Sequence, residues 1–170
     1  PYMGRHATKK VIVRALAAAI NSDPDIRAET RFFNLIATPG FPELIDEMKV
    51  LHVDRKEQTF IIADVPFRLS SSGSAVQNWA TNNANAAENG EDALITSGYE
   101  LGVWYPGGCY VSNTDGKNVV QPASHIMLRQ MAYNDQVAYQ WFAPAGYQRG
   151  IVQNATSVGY INAEQEYVPV

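Results

Sequence analysis

Cysteine is almost absent from this chain, because Cys109 is the only one among its 170 residues. One cysteine cannot form a disulfide within the chain, and Cys109 has no second thiol with which to build a zinc site. A reactive thiol also needs basic neighbours, which the surrounding sequence does not supply. We therefore predict that Cys109 is an inert side chain near a turn and that the chain folds in the cytoplasm.

A large excess of one charge and long apolar runs are also missing. The formal net charge is −4, so the composition does not indicate nucleic acid or an acidic membrane surface as a partner. The longest apolar run, residues 11–20, is interrupted by Arg14 and is shorter than the ~18 residues that cross a bilayer. No signal-peptide pattern occurs at the N-terminus. The basic residues Arg5, Lys9 and Lys10 join Arg14 on one predicted helix, which indicates a solvated or salt-bridging face.

The usual signatures of metal and phosphate sites are missing as well. His6, His52 and His125 lie on three different predicted helices, and none has a histidine or carboxylate four residues away with which to share a metal. We predict that all three are solvated or hydrogen-bonded structural residues. Residues 70–74 (SSSGS) have no following lysine, so we predict that they cap a helix. Asn154 begins a glycosylation triplet, but without a secretion signal the match carries no weight.

Asp64 is the best catalytic candidate, because it ends a predicted parallel strand, where α/β enzymes often place functional groups. No nucleophile elbow, phosphate loop or dinucleotide fingerprint accompanies it, so a structural role such as capping a turn is preferred. We predict no catalytic, cofactor-binding or metal-binding residue. A flavodoxin-like or hydrolase-like enzyme that uses Asp64 stays open as the alternative. A deep pocket there with a second titratable residue would favour the enzyme, and a filled edge would favour the structural role.

The pattern of apolar residues predicts one α/β domain with a mixed, mainly parallel central sheet, helices on both faces and a β-rich C-terminal third. Helices are predicted over residues 4–21, 42–55, 75–81 and 122–134. Strands are predicted over residues 32–37, 59–65 and 100–105, and the Asp115-Gly116 turn predicts a hairpin between residues 110–112 and 118–120. The strand, helix, strand order at the start predicts a parallel crossover.

The predicted core consists of the apolar stripes of the helices and several aromatic residues. Its members are Val13, Leu16, Ala17 and Ile20 of a mostly buried first helix, then Leu44, Met48, Leu51, Trp79, Leu128, Met131, Ala132, Trp141, Phe142 and Tyr147. Residues 82–98 are rich in Asn, Ala, Glu and Gly, which predicts a surface insertion loop, partly helical near residues 92–95. Residues 137–170 are predicted to be irregular or β.

Four segments, taken in order, resemble the tail sheath proteins of contractile bacteriophages. Residues 60–66 (FIIADVP) resemble a strand ending in Asp-x-Pro, and residues 101–106 (LGVWYP) resemble an aromatic strand ending in Tyr-Pro. Residues 120–125 (VQPASH) resemble the family's proline–serine entry into a helix, which closes here with residues 132–135 (AYND). Residues 139–146 (YQWFAPAG) resemble the segment ending in Ala-Pro-Ala-Gly. The resemblance covers about residues 31–152, and Gln121 and His125 depart from the family's usual Pro and Gly.

This resemblance implies a structural subunit that stacks around a rigid tube and contracts to drive the tube through a host envelope. The implied partners are copies of the chain itself, together with the inner tube and the baseplate through regions outside this chain. The implied location is the virion tail, with assembly in the host cytoplasm. Because the chain begins at Pro1 and ends in the apolar residues 167–170, we expect residues 1–170 to be one sheath-protein domain. It would be a fragment that lacks the C-terminal domain and is monomeric alone. The same structural role would also fit a sheath subunit of a bacterial contractile injection system.

Overall fold

The computed structural model describes residues 2–86 and 90–170. Within these ranges the helices are α1 (Tyr2–Ser22), α2 (Ile45–Asp54), α3 (Ala75–Ala80), α4 (Ala123–Val137) and α5 (Gly146–Arg149). The strands are β1 (Leu35–Ala37), β2 (Phe60–Asp64), β3 (Leu101–Trp104), β4 (Gly107–Val111), β5 (Asn118–Gln121), β6 (Ala155–Ile161) and β7 (Tyr167–Pro169). Single 3-10 turns occur at Asp25–Arg27 and Pro42–Leu44.

The strands form two sheets rather than the single mixed sheet that the sequence predicts. One has three strands in the order β1-β2-β3 and is entirely parallel, which confirms the predicted crossover. The other has four strands in the order β5-β4-β6-β7 and is entirely antiparallel. The "mainly parallel" prediction therefore holds for the first half of the fold only. The reason is the tight turn at Pro106, which sends the chain from β3 directly into the second sheet as β4.

Strand β2 lies at the centre of the parallel sheet and is buried on both faces. Its sequence, FIIAD, has no polar residue before Asp64, as expected for a strand covered on both sides. Successive side chains point to opposite faces, so Ile61 and Ala63 pack with Met48 of α2, while Asp64 reaches α4. Helices therefore cover both faces of this sheet, as the sequence predicts.

The predicted helices and strands are largely confirmed, and the errors concern side-chain burial and short segments. Leu44, Met48, Leu51 and Trp79 are buried as expected. Helix α4 turns a different face inward, because its buried residues are Ala123, Ser124, Ile126, Gln130 and Asn134, whereas Leu128 and Met131 are half-buried and Ala132 is exposed. Residues 92–95 form turns and extended backbone instead of a helix.

The aromatic residues near the C-terminus are the clearest error in the predicted core. Trp141 is 76% exposed and Tyr147 is 94% exposed, and Phe142 is also on the surface. Trp141 and Phe142 lie on the connection between α4 and α5 and Tyr147 lies on α5, and this part of the backbone follows the surface of the molecule. The surrounding segment contains helix α5 as well as strands β6 and β7, so it is less purely β than predicted.

The predicted extent of helix α1 is confirmed, but its predicted burial is wrong. The sequence predicts that most of it is buried, but only a narrow stripe that includes Val13, Ala17 and Ile20 is half-buried, where the helix packs along α2. Leu16, predicted to point inward, is exposed, and so are Val11 and Ile12. A helix with a wide apolar arc can be buried all round or can present part of that arc to the outside, and here it does the latter.

The segment after α3 packs against the core along part of its length. The Trp79 indole N–H donates a 2.9 Å hydrogen bond to the Gly90 carbonyl, and Ala93 is fully buried. Residues 83–85 are exposed, as expected for a surface loop. The predicted loop also includes residues 87–89, which lie outside the described residues. That residues 82–98 are an insertion remains a prediction.

A buried arginine fixes the chain between α1 and β1. The Arg55 guanidinium donates hydrogen bonds to the carbonyls of Ile26, Ala28 and Arg31 at 3.2, 3.0 and 2.8 Å. It also lies over the Phe33 ring at 4.2 Å from the centroid. An always-charged side chain tolerates burial when most of its donors find acceptors, and backbone carbonyls accept from both terminal nitrogens of Arg55, while its Nε has no acceptor among the described residues.

We predict that Gly90→Ala destabilises the fold by about 1–3 kcal/mol. A Cβ at position 90 would overlap the backbone carbonyl of Pro42, which cannot move without shifting the turn before α2. The matched control is Gly4→Ala in α1, where a Cβ meets nothing within 4 Å. That change should leave stability unaltered or raise it by up to about 1 kcal/mol. Urea denaturation followed by circular dichroism measures both, and equal effects would contradict the packing of residue 90.

Candidate functional site

The Asp64 carboxylate is buried at the carboxyl end of β2 and accepts three hydrogen bonds. One Oδ atom accepts from the Ser124 backbone N–H at 2.6 Å, and the other accepts from the Ser124 hydroxyl at 2.6 Å and from the Gly40 N–H at 2.8 Å. Asp64 is 3% exposed and Ser124 is 0% exposed. The carboxylate therefore joins the turn after β1, the end of β2 and the start of α4.

Asp64 accepts a hydrogen bond from a backbone N–H group at the N-terminus of α4. The first backbone N–H groups of a helix have no partner within the helix, and the residue before α4, Pro122, has no side-chain group that could accept a hydrogen bond. Asp64 supplies that acceptor from 60 residues away. Its negative charge also lies at the positive end of the helix dipole. A capping role was expected for Asp64, but for the turn that follows it and not for a distant helix.

The space beside Asp64 is filled. The cavity that Asp64 shares with residues of β3 and β4 has a volume of only about 10 Å³, which is less than a small ligand requires. A deep pocket with a second titratable residue was the observation that would have favoured a catalytic Asp64. The geometry shows instead a carboxylate whose oxygens are occupied by donors of the chain itself.

We predict that Asp64→Asn destabilises the protein by about 2–4 kcal/mol, because the amide group would face one of three donors with a donor of its own. Ser124→Ala should cost less, about 1–2 kcal/mol, since it removes only the hydroxyl and keeps the backbone N–H in place. Chemical denaturation gives both free energies of unfolding. An Asp64→Asn variant as stable as the parent chain would refute the structural role.

A cleft of about 350 Å³ opens near the same end of the sheet, between α1 and the residues that follow β2 and β6. Its wall is partly apolar, through Pro66, Phe67 and Ile161, and partly charged, through Arg5 and Arg68. The Asp64 carboxylate does not line it. The cleft therefore adjoins the Asp64 cluster through Gly40, whose N–H binds Asp64, but the carboxylate itself does not face it.

Four charged side chains join α1 to the core beside this cleft. Lys9 Nζ lies 2.6 Å from Glu43 Oε1 and 3.4 Å from Glu91 Oε1. Arg68 Nε lies 3.5 Å from the same Glu91 oxygen. The two carboxyl groups are also close enough for each to shift the pKa of the other. The interaction connects α1, the turn before α2, and the segments at residues 68 and 91.

The two carboxyl groups have pKa values shifted in opposite directions. Burial raises the pKa of Glu43, and the hydrogen bond with Lys9 only partly offsets that effect. For Glu91, burial opposes ionisation, but the hydrogen bond from Glu43 and the charges of Lys9 and Arg68 outweigh burial and lower its pKa. Glu43 therefore gives up its proton at a higher pH than Glu91 does.

We predict that Glu43→Gln makes stability less dependent on pH. The raised pKa of Glu43 contributes stability that is complete below the ordinary glutamate value of about 4.3 and is lost as pH rises through the raised value. A glutamine side chain can still donate a hydrogen bond to Glu91 and never ionises. The loss of stability with rising pH should therefore disappear. Denaturation between pH 4 and 8 measures the slope. The exposed change Glu164→Gln is the control, and an unchanged slope in Glu43→Gln would contradict the assignment.

The remaining candidate residues have structural roles or lie on the surface. His52 is buried, with Nδ1 2.9 Å from the Thr59 hydroxyl, which confirms a hydrogen-bonded histidine, and His6 and His125 are exposed. Ser74 precedes α3 but does not cap it, because its hydroxyl accepts from the Asn78 side chain at 3.2 Å. Cys109 is buried in the middle of β4 rather than near a turn. In residues 2–86 and 90–170, no three His, Cys, Asp or Glu side chains group closely enough to hold a metal.

Three aromatic rings form a cluster on the surface after α4, which we call the aromatic cluster. The Tyr139 and Trp141 rings are stacked, with centroids 4.7 Å apart and planes 9° apart. Phe142 meets both rings edge to face, at 5.6 and 6.3 Å. These rings shield one another only in part, since Tyr139 stays 63% exposed. A contiguous exposed apolar surface of this kind is typical of a site where another molecule binds.

A second exposed apolar surface lies on α1 and is called the α1 outer face. It consists of Val11, Ile12, Ala15, Leu16, Ala18 and Ala19. These residues occupy a continuous arc of the helix, opposite the stripe that packs along α2. Sequence reasoning found the apolar arc and assigned it to the core. The part of the arc that remains outside could not be distinguished before the position of α2 was known.

Comparison with known proteins gives no match to a family model, to a curated protein or to a solved structure. Among the helices that the structure describes, none has the length and apolar character needed to cross a membrane.

Proposed function

We propose that this domain is a structural subunit of a contractile tail sheath, which assembles helically around an inner tube and contracts to drive the tube through a host envelope. The proposal places it in the virion tail of a contractile bacteriophage. A bacterial contractile injection system would use it in the same role. Its partners are other copies of the chain, and the inner tube and baseplate through regions outside residues 1–170.

The observation that carries the proposal is the position of the segments that resemble sheath proteins. Residues 60–66 and 101–106 are neighbouring strands, with Asp64 opposite Trp104 in the parallel pair. Residues 120–125 meet the first segment through the bonds between Asp64 and Ser124. Segments that are far apart in sequence therefore form one connected unit, as expected if the resemblance reflects a shared building block and not scattered coincidences.

The chemistry of this unit suits a mechanical role. Its most buried carboxylate is used to cap a helix, and the space around that group is closed. Identical subunits joined by contacts that do not close form a helical array, and such an array can hold two geometries of different free energy. Even ~1 kcal/mol per subunit, small beside a typical domain stability, becomes large when summed over a cooperative array.

Electron microscopy of the longer polypeptide in which we expect this domain tests the proposal directly. The expected result is hollow, transversely striated tubes in two states of different length and width. A polypeptide that stays dispersed under conditions in which it is folded would refute the proposed function.

The 170-residue chain by itself should sediment as a monomer at micromolar concentration. Joining strands to the sheet edges of neighbours would require the regions outside the chain, and those regions are what would make the lattice stable. Sedimentation velocity measures this. A stable oligomer or a tube formed by residues 1–170 alone would contradict the expectation.

A further inference from the structure

The α1 outer face and the aromatic cluster lie on opposite faces of the parallel sheet. Helix α1 packs along α2, which covers the face of β2 that presents Ile61 and Ala63. The aromatic cluster follows α4, which covers the face that presents Asp64. The sheet separates the two surfaces, so neither can cover the other within one molecule. Each needs a partner to remove it from water.

Charge distinguishes the two surfaces. Helix α1 contains Arg5, Lys9, Lys10 and Arg14 and no acidic residue, so it carries +4 in a chain whose net charge is −4. The rest of the chain therefore carries −8. Within the described residues, Lys10 and Arg14 make no ion pair with this chain, and both flank the α1 outer face. A contact between two α1 helices would bring like charges together, which disfavours a symmetric contact through this surface.

The aromatic cluster offers the complementary chemistry. The Phe142 ring already lies under the Arg149 guanidinium of the same chain, 5.0 Å from the centroid. The exposed Trp141 and Tyr139 rings carry the same negative quadrupole face, which attracts ammonium and guanidinium groups. Asp135, in the last turn of α4, is exposed and makes no ion pair with any residue described in the structure. Flat aromatic rings also pack well on aliphatic side chains of the kind that α1 presents.

We propose that the α1 outer face of one copy docks on the aromatic cluster of the next copy, with Lys10 and Arg14 placed over the rings and near Asp135. This inference rests on the proposed function, because it takes a second copy of the chain as the occupant. The contact joins two different surfaces on opposite faces of the molecule, so it is heterologous and repeats from copy to copy without closing on a pair. A single contact of this kind is weak alone, which is compatible with the expectation that the 170-residue chain sediments as a monomer.

Disulfide trapping tests the contact in the 170-residue chain. Ala15→Cys places a thiol at the centre of the α1 outer face, and Gln140→Cys places one between Tyr139 and Trp141. Oxidation of an equimolar mixture of the two single variants should give several-fold more mixed dimer than either homodimer. A chain that carries both changes should give a ladder of dimers, trimers and higher species. The parent chain controls for Cys109, which is buried.

Matched variants decide whether the trapped contact is the one proposed. Ala15→Cys mixed with Asp115→Cys, on an exposed turn of the hairpin, sets the level of random collision. Trp141→Ala and Lys10→Glu should each lower the mixed dimer several-fold, whereas Tyr147→Ala removes an equally exposed aromatic residue and should not. Circular dichroism verifies that each variant is folded. A yield no higher than the Asp115→Cys control, or homodimers of Ala15→Cys in excess, would overturn the proposal.

The outcome separates this contact from the proposed function. Striated tubes from the longer polypeptide without mixed dimers would refute the contact and leave the sheath function standing. Mixed dimers without tubes would support the contact and refute the function.

Discussion

The buried carboxylate of Asp64 is the interaction on which the arrangement of this domain depends. A carboxylate in a closed interior is costly unless donors surround it, and the three donors here come from two distant parts of the chain. The Gly40 N–H fixes the turn after β1, and the N–H and hydroxyl of Ser124 fix the start of α4. Because Pro122 offers no side-chain cap, the Asp64 carboxylate accepts from the N-terminus of α4, and the helix in turn supplies donors to the buried carboxylate. Moving α4 would leave both unsatisfied at once.

A second polar cluster does similar work on the other side, with a different balance of forces. Lys9 reaches from α1 to Glu43 and Glu91, and Arg68 reaches Glu91 from the segment after β2. These groups are partly exposed, so solvent weakens their attraction. Helix α4 is thus held by a closed hydrogen-bond cluster, whereas α1 is held by screened ion pairs and a narrow apolar stripe. Of these two helices, α4 is therefore the more firmly fixed.

The sequence could predict features that depend on neighbouring residues, and it could not predict those that depend on residues far apart in the chain. The apolar run before Asp64 identifies a strand covered on both faces, since no other local structure buries so many consecutive apolar residues so easily. The Asp115-Gly116 turn identifies its hairpin for an equally local reason. The partner of Asp64 lies 60 residues away, and no periodicity records that distance. For Trp141 hydrophobicity alone was misleading, because stacking on Tyr139 gives the indole partial shelter without burial. The terminal nitrogens of Arg55 donate to backbone carbonyls, which leave no trace in residue identity.

The separation between a fixed interior and apolar outer surfaces bears on the kind of work the domain can do. The exposed apolar residues of α1 and of the aromatic cluster lie outside the two sheets, on elements whose inner sides are already packed. Binding at either surface can therefore remove apolar area from water without disturbing the Asp64 cluster. Force applied at one surface passes through α2, β2 and α4 to the other, along elements joined by buried contacts. Under the proposed function, such a subunit would transmit displacement between neighbours as a stiff body, and a change in array geometry would be absorbed at the contacts between copies.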